Sequence, residues 1–159
     1  MLENNSKIKK RFKEYEMVTV VERLHAFSTA NHSFDYGTGE KYHSGEVHML
    51  SYIADNPGIT PSEIASNWNQ TRGATSQMLR KLTDRGLIKT EQHADDRRVS
   101  CLYVTDKGIE LDQKHKKFDE DNIKKFLNEL RKEYTEDEIQ LAYNVLDSWV
   151  ELFFKLDNF

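Results

Sequence analysis

The residues with the clearest chemical character lie in the segment NQTRGATSQMLRKLTDRGLI, residues 69–88. Its apolar residues recur at helical spacing, which predicts a helix with one buried face. They are Ala74, Met78, Leu79 and Leu82. The polar face begins with hydroxyl, amide and guanidinium groups, which pair with guanine, adenine or phosphate, rather than with the Glu and Lys of a solvated helix. We therefore predict DNA contacts from Thr71, Arg72, Thr75, Ser76, Gln77 and Arg80.

A second candidate for nucleic-acid chemistry is the charged segment HADDRR, residues 93–98. An arginine at the tip of a hairpin can enter the minor groove, where A·T-rich DNA has an enhanced negative potential. An aspartate two residues earlier can hold that arginine through a charge-assisted pair. A charged turn that only keeps a hairpin soluble would have the same composition. The DNA-binding interpretation of this segment therefore depends on its position next to a predicted helix-turn-helix.

A pair of capped helices must position these side chains. In TPSEIASNWN, residues 60–69, Thr60 and Glu63 have the spacing of a capping box, which predicts a short helix. Thr71 can cap the helix that follows, and an Arg-Gly pair ends that helix. A turn of a few residues and the small Ala65 at the packing point together predict a helix-turn-helix.

A β-hairpin is predicted directly after these helices, because residues 87–92 and 99–105 are rich in β-branched and aromatic residues. Longer helices flank this unit. The expected helices are roughly residues 6–30, a helix from Ser44 to the Asn-Pro-Gly at 56–58, one beginning at Thr105, and a last one opened by a capping box at Thr135. Residues 31–43 are expected to be a polar loop.

Composition indicates a soluble, helix-rich chain: 159 residues, 31% charged, with two prolines and seven glycines. We expect no signal peptide, no membrane span and no disulfide, since Cys101 is alone. The net charge of −4 argues mildly against nucleic acid. Residues 60–105, however, carry seven Lys/Arg and five Asp/Glu, so a mildly basic module is joined to an acidic remainder.

Residues 46–108 resemble the winged helix-turn-helix of the MarR family of bacterial transcription regulators. The family pattern is a capped helix with a small residue, a recognition helix ending L-x-x-x-G-L-[IV], a wing with D-x-R, and L-T-x-x-G opening the next helix. The matching segments are TPSEIASNWNQTRGATSQMLRKLTDRGLI and DDRRVSCLYVTDKG, with Val104 in place of the frequent leucine. The flanking helices also match in length and order.

The resemblance implies roles for individual residues. Arg98 matches the minor-groove arginine of the wing and Asp96 its supporting aspartate, with Arg97 beside them. The DNA-facing start of the recognition helix is matched by Thr71, Arg72, Thr75, Ser76 and Gln77. Many members carry arginine where Gln77 stands, so their base preference does not transfer to this chain.

The predicted fold class is mainly α with a small β-hairpin wing, a winged helix-turn-helix flanked by N- and C-terminal dimerisation helices. Residues 1–43 are expected to form the first dimerisation helix and its loop, 44–105 the DNA-binding domain, and 106–159 the C-terminal dimerisation helices. An apolar surplus near the chain end indicates an interaction surface. Its members are Leu152, Phe153, Phe154, Leu156 and Phe159. A two-fold homodimer would place two recognition helices about 34–36 Å apart on a pseudo-palindrome.

The resemblance also implies a small effector, since family members often bind phenols, fatty acids or other small anions near the first, second and fifth helices. A phenolic or acidic effector would be lined by His32, Tyr36, Tyr42, His43 and His48, although loop and core packing explains each of them equally well. No cofactor is predicted.

We predict no metal ligands. A zinc-sensing branch of the family uses clustered His, Glu and Cys, and His43, Glu46 and His48 are close in sequence. Residues 46 and 48 of a helix point to different sides, however, and the i, i+4 pair of a zinc-binding helix is missing from this segment.

No phosphate loop, nucleophile elbow or well-spaced metal motif indicates an enzyme. The predicted function is that of a cytoplasmic, homodimeric, ligand-responsive repressor that binds double-stranded DNA at a pseudo-palindromic operator. Two alternatives stay open: a winged-helix module for protein contacts without specific DNA binding, and a metal-responsive regulator.

Overall fold

Six helices and two short hairpins form the part of the chain that the structure, a computed structural model, describes: residues 13–29, 32–93, 96 and 98–155. The elements in order are α1 (Glu14–Thr29), β1 (Ser33–Asp35), β2 (Lys41–His43), α2 (Ser44–Asp55), α3 (Pro61–Asn67), α4 (Arg72–Asp84), β3 (Ile88–Gln92), β4 (Ser100–Val104), α5 (Asp106–Leu130) and α6 (Glu136–Lys155). The predicted fold class is confirmed. None of the described helices is long and apolar enough to cross a membrane.

The helix-turn-helix forms as its caps predict. The Thr60 hydroxyl accepts the backbone N–H of Glu63 at 3.3 Å, and the Glu63 carboxylate accepts the Thr60 N–H at 2.8 Å. The Thr71 hydroxyl accepts the N–H of Ala74 at 3.2 Å and starts α4. At the other end of α4, Gly86 takes the left-handed conformation, φ 68°, which turns the chain into β3.

The hydrophobic core lies where α2, α3, α4, the β3–β4 hairpin and the start of α5 meet. Its fully buried side chains include Val47, Met49, Leu50, Ile53, Ile64, Leu82, Leu87 and Leu111. Burial of such a cluster removes apolar surface from water and supplies most of the free energy that holds these elements together. Helix α4 is thereby fixed on one side, while its other side stays in solvent.

The segment 31–43 contains a β-hairpin, β1–β2, so the loop prediction is wrong for residues 33–35 and 41–43, whereas residues 36–40 form the turn between them. The Asp35 carboxylate closes the turn by accepting backbone N–H groups of Gly37 at 2.8 Å, Thr38 at 2.9 Å and Gly39 at 3.1 Å. Three-residue strands are too short for alternation to show in a sequence. The hairpin runs directly into α2, whose N-cap is His43 rather than the predicted Ser44.

A close backbone approach joins α5 to the wing. The Thr105 hydroxyl accepts the N–H of Gly108 and donates to the Gly86 carbonyl at 2.7 Å. A Cβ atom at Gly108 would lie 2.1 Å from the Leu87 carbonyl oxygen and 2.5 Å from a Val104 methyl. Only glycine permits this contact, which explains the T-x-x-G pattern physically.

Helices α1 and α6 differ from the other four, because neither packs extensively against another described element of the same chain. Helix α6 nevertheless exposes a long series of large apolar side chains. They are Leu141, Tyr143, Val145, Leu146, Trp149, Val150 and Leu152. Of the predicted C-terminal surplus, the side chains of Phe153 and Phe154 and all of Leu156 and Phe159 lie outside the described residues.

Candidate nucleic-acid interface

The outward side of α4 presents the polar groups that the sequence analysis selected. Thr71, Arg72, Ser76, Gln77 and Arg80 are all exposed there. Arg72 makes no ion pair with another described residue, and Arg80 makes only a long, solvent-exposed pair with Asp84 at 3.7 Å. Exposed pairs of this kind contribute little to stability, so both guanidinium groups are available to an outside partner.

Thr75 is the exception, and its predicted place on the outward surface is wrong. Its side chain is 1% exposed, and its hydroxyl has no hydrogen-bond partner among the described residues. The buried stripe of α4 runs through Thr75, Leu79 and Leu82, whereas Ala74 is exposed. The buried face of α4 therefore begins at Thr75 and not at the predicted Ala74. Both choices fit the sequence, because residues 75, 79 and 82 also have helical spacing.

Gly73 opens the first turn of α4 without an internal reason for glycine. A Cβ atom there would meet no atom of the chain within 4 Å. Glycine at a helical position costs about 1 kcal/mol relative to alanine. Nothing inside the described structure offsets that cost, and the missing side chain leaves the helix surface open beside the first turn.

The wing carries a preformed arginine–aspartate pair. The Arg98 Nε and Nη2 groups each donate to a carboxylate oxygen of Asp96 at 3.1 Å, and the Arg98 backbone N–H donates at 3.0 Å. This contact lowers the pKa of Asp96. The Arg98 side chain is still 91% exposed and keeps N–H donors that Asp96 does not use. The predicted pairing is present; Arg97 lies outside the described residues.

Sequence reasoning missed the residue that holds the C-terminal end of α4. Arg85 donates to the carboxylate of buried Glu46 at 3.0 Å and to the Lys41 carbonyl at 2.8 Å, and its guanidinium lies 3.8 Å above the Tyr42 ring. Lys81 adds a longer contact to Glu46 at 3.8 Å. We call Arg85, Glu46 and Tyr42 the anchor. It ties α4 to the start of α2, and no local signal could reveal it because its partners are 39 positions apart.

The five residues predicted to line an effector pocket do not form one pocket. Tyr42 is buried under Arg85, and His43 caps α2. Tyr36 is buried against His115 and Phe118 at ring distances of 5.3 and 5.1 Å, and burial raises its pKa to about 12. The remaining two are exposed: the His48 ring lies beside His115, and the His32 ring beside Phe34.

A cleft of about 530 Å³ opens next to Tyr36, between the β1–β2 turn and α5. Phe118 supplies a second aromatic wall, and Lys114 and Lys117 line the cleft. Both lysines are already paired along α5, Lys114 with Glu110 at 2.7 Å and Lys117 with Asp121 at 2.8 Å. The cleft is thus partly apolar, and its lining carries the carboxylates of Asp35, Glu110 and Asp121 beside these two lysines.

Helices α2 to α4 with the β3–β4 hairpin define a winged helix-turn-helix protein. The start of its recognition helix and the tip of its wing are the parts that present exposed polar and cationic groups. Residues 43–99 match the sequence model of the MarR family, a span that contains the helix-turn-helix and most of the wing. Over this span the chain is similar to the MarR family.

Individual relatives agree with this similarity. The chain is 29% identical over 108 residues to the uncharacterized HTH-type transcriptional regulator YhjH of Bacillus subtilis, a match that covers 68% of this chain and 61% of that protein. The fold is similar to that of Streptococcus pneumoniae FabT in complex with DNA, with TM-score 0.64 and 23% identity over 90% of this chain and 92% of FabT. It is also similar to MarR, with TM-score 0.65 and 23% identity over 92% and 95% of the two chains.

Proposed function

We propose that this protein is a homodimeric transcription regulator that binds double-stranded DNA in a sequence-specific manner, in the cytoplasm, as a ligand-responsive repressor. The observation that carries the proposal is the outward start of α4, where the exposed residues are those that read bases and phosphates. We call Thr71, Arg72, Ser76, Gln77, Arg80, Asp96 and Arg98 the DNA-facing surface.

Each part of this surface has a distinct task in the proposal. The first turn of α4 enters the major groove, where Gln77 pairs with a base edge and Arg72 with guanine or a phosphate. Arg98 reaches the minor groove from the wing, and Asp96 holds its guanidinium in an extended position before DNA arrives. A preformed pair saves the entropy of ordering a long side chain on binding.

A second copy of the chain is the proposed cover for α1 and α6. Both helices expose apolar side chains that the described part of the chain does not cover, among them Leu24, Leu146 and Trp149. A two-fold axis through these helices would give a closed dimer and two DNA-facing surfaces. Light scattering should give twice the chain mass for the natural protein and a lower mass for Leu146→Asp. Ile109→Asp, an exposed apolar control on α5, should leave the mass unchanged.

The 530 Å³ cleft beside Tyr36 is the proposed effector site. Its aromatic walls suit an aromatic ring, and Lys114 or Lys117 can pair with a ligand carboxylate by leaving Glu110 or Asp121, so benzoate is a suitable first probe. Benzoate should raise the unfolding temperature of the natural protein, because a ligand that binds only the folded state stabilises it. The same shift in Phe118→Ala would place any benzoate binding elsewhere.

The proposal is tested by selecting bound duplexes from a random pool and titrating salt on the selected sequence. A two-fold-symmetric motif that binds more weakly as salt rises supports a dimeric, sequence-specific regulator. No enrichment at low salt, even after the protein is unfolded and refolded to remove carried ligand, would favour a winged helix used for protein contacts.

A further inference from the structure

The β1–β2 hairpin contacts both the proposed effector cleft and the anchor of α4. On one side, residues 35–37 line the cleft of about 530 Å³. On the other side, the Glu40 carboxylate and the Lys41 carbonyl each accept a hydrogen bond from the Arg85 guanidinium, at 3.4 and 2.8 Å. A single short hairpin therefore connects the cleft to the C-terminal end of α4.

Lys114 on α5 holds the turn of this hairpin from the cleft side. Its ammonium group donates to the Gly37 carbonyl at 3.1 Å and to the Glu110 carboxylate at 2.7 Å, and Lys114 also lines the cleft. A carboxylate ligand in the cleft would compete for this ammonium group, and a charged acceptor forms a stronger hydrogen bond than the neutral Gly37 carbonyl. Ligand binding would therefore release the turn.

The released turn has room to move. A second cavity of about 170 Å³ shares Gly37, Glu110 and Lys114 with the cleft and extends to Glu40 and Tyr42. A Cβ atom added at Gly37 would meet no atom within 4 Å, so this part of the turn is not packed against the rest of the chain. Segments with few packing contacts shift at low cost in free energy, in contrast to a close-packed core.

Glu40 joins the turn to the end of α4 by two routes. Its carboxylate accepts the Tyr42 hydroxyl at 3.0 Å and the Arg85 guanidinium at 3.4 Å. Its other oxygen lies 3.6 Å from the Lys107 ammonium group, which itself donates to the Arg85 carbonyl at 3.2 Å. A shift of the turn would therefore disturb both the side chain and the backbone of Arg85, the residue that caps α4.

We propose that the β1–β2 hairpin is a relay that couples occupancy of the cleft to the position of α4, an inference that rests on the proposed function. Without ligand, Lys114 holds the turn and Glu40 supports Arg85. A carboxylate in the cleft takes Lys114 from Gly37, the turn moves into the smaller cavity, and Arg85 loses Glu40. The last turn of α4 is then held by fewer contacts, so the population that presents the DNA-facing surface correctly falls.

The first test needs neither DNA nor ligand and follows hydrogen exchange of the full chain by mass spectrometry. Lys114→Ala releases the Gly37 carbonyl and should speed exchange in peptides that cover the last turn of α4 by about twofold or more. Lys117→Ala is the matched control, because Lys117 lines the same cleft on the same helix but pairs with Asp121. Peptides from β3 and β4 report any general loss of stability. Equal exchange at the end of α4 in the two variants would overturn the relay.

A second experiment tests whether the effect passes through Glu40. In a Glu40→Ala background, adding Lys114→Ala should produce no further change in exchange at the end of α4, because the link to Arg85 is already broken. Glu120→Ala is the control background: it removes a carboxylate of similar exposure, paired with Lys124 at 2.6 Å, and should leave the effect of Lys114→Ala intact. The same effect in both backgrounds would exclude Glu40 from the relay.

DNA titration separates failure of the relay from failure of the proposed function. Lys114→Ala should bind the selected duplex about fivefold or more weakly than the natural protein, since coupling between sites is typically of this size or larger, whereas Lys117→Ala should bind it equally well. Equal affinity of all three proteins would overturn the relay and leave the DNA-binding proposal intact. A natural protein that binds no duplex would overturn the DNA-binding proposal, and hydrogen exchange would still decide whether the hairpin connects the cleft to α4.

Discussion

The two ends of α4 differ in what surrounds them and in what they are expected to do. The first turn points into solvent, has few internal partners, and carries the proposed base-reading groups. The last turn is held by the anchor, where Arg85 contacts Glu46 and Tyr42. A recognition helix needs both, because a groove can be read only by side chains whose helix has a fixed position. Mutations at the two ends should therefore affect different measurements.

The largest effect is expected at the anchor. Arg85→Ala leaves the carboxylate of Glu46 buried with only the His43 backbone N–H at 3.3 Å and the longer Lys81 contact, and removing one partner of a buried pair costs about 3 kcal/mol or more. Urea unfolding should show this loss. Arg80→Ala is the matched control, because its pair with Asp84 is exposed and should change the unfolding free energy by less than about 1 kcal/mol. Equal losses in the two variants would remove the distinction between the ends.

The junction of wing and α5 should be the next most sensitive position. Gly108→Ala places a methyl group against the Leu87 carbonyl and a Val104 methyl, and overpacking of this kind costs about 1–3 kcal/mol. The wing is expected to shift as well, so DNA affinity should fall together with stability. Thermal unfolding and DNA titration measure the two effects. An unfolding temperature equal to that of the natural protein would contradict the close approach.

Gln77 at the exposed end should show the opposite behaviour. Gln77→Ala removes a side chain that has no structural task, so stability should change by less than about 0.5 kcal/mol. Discrimination between cognate and substituted duplexes should fall by about 1–3 kcal/mol at one base pair. Competition binding with duplexes substituted one pair at a time would locate that base. Unchanged preference at every position would exclude Gln77 from base recognition.

The smallest expected effect is at Gly73, where a substitution should raise the unfolding free energy, in contrast to the loss expected for Arg85→Ala at the other end of α4. Gly73→Ala should stabilise the protein by about 1 kcal/mol, because alanine is a better helix former and the added methyl meets no atom of the chain. DNA affinity should decrease if the first turn approaches the DNA backbone closely. A variant that is both more stable and unchanged in affinity would show that Gly73 has no part in binding.

Local signals predicted much of the fold and of the candidate site. The caps at Thr60 and Thr71, the wing strands and the Asp96–Arg98 pair all depend on residues within a few positions of one another, and the structure contains each of them. Thr75 was misplaced because two adjacent positions at the start of α4 both fit the apolar spacing. A single helical period cannot decide between them without the packing of α3 on α4.

Long-range contacts were beyond prediction. The Arg85–Glu46 pair and the cluster of His48 with His115 and Asp119 join residues from separate helices, and nothing near any one of them indicates its partner. An isolated histidine in a helix is usually a packing residue, and only the fold shows that His115 lies beside His48 and Asp119. The contacts among these three residues are therefore a consequence of tertiary packing, whereas the DNA-facing surface follows from local sequence.

The central claim is that the wing and the first turn of α4 together bind DNA, and Arg98→Ala tests it most directly. The selected duplex should be titrated with the natural protein and with Arg98→Ala, with light scattering of both to verify the dimer. The account predicts clearly weaker binding by the variant, with the same mass and the same unfolding temperature, because the Arg98 side chain is 91% exposed. Equal affinity of the two proteins for the duplex would contradict it.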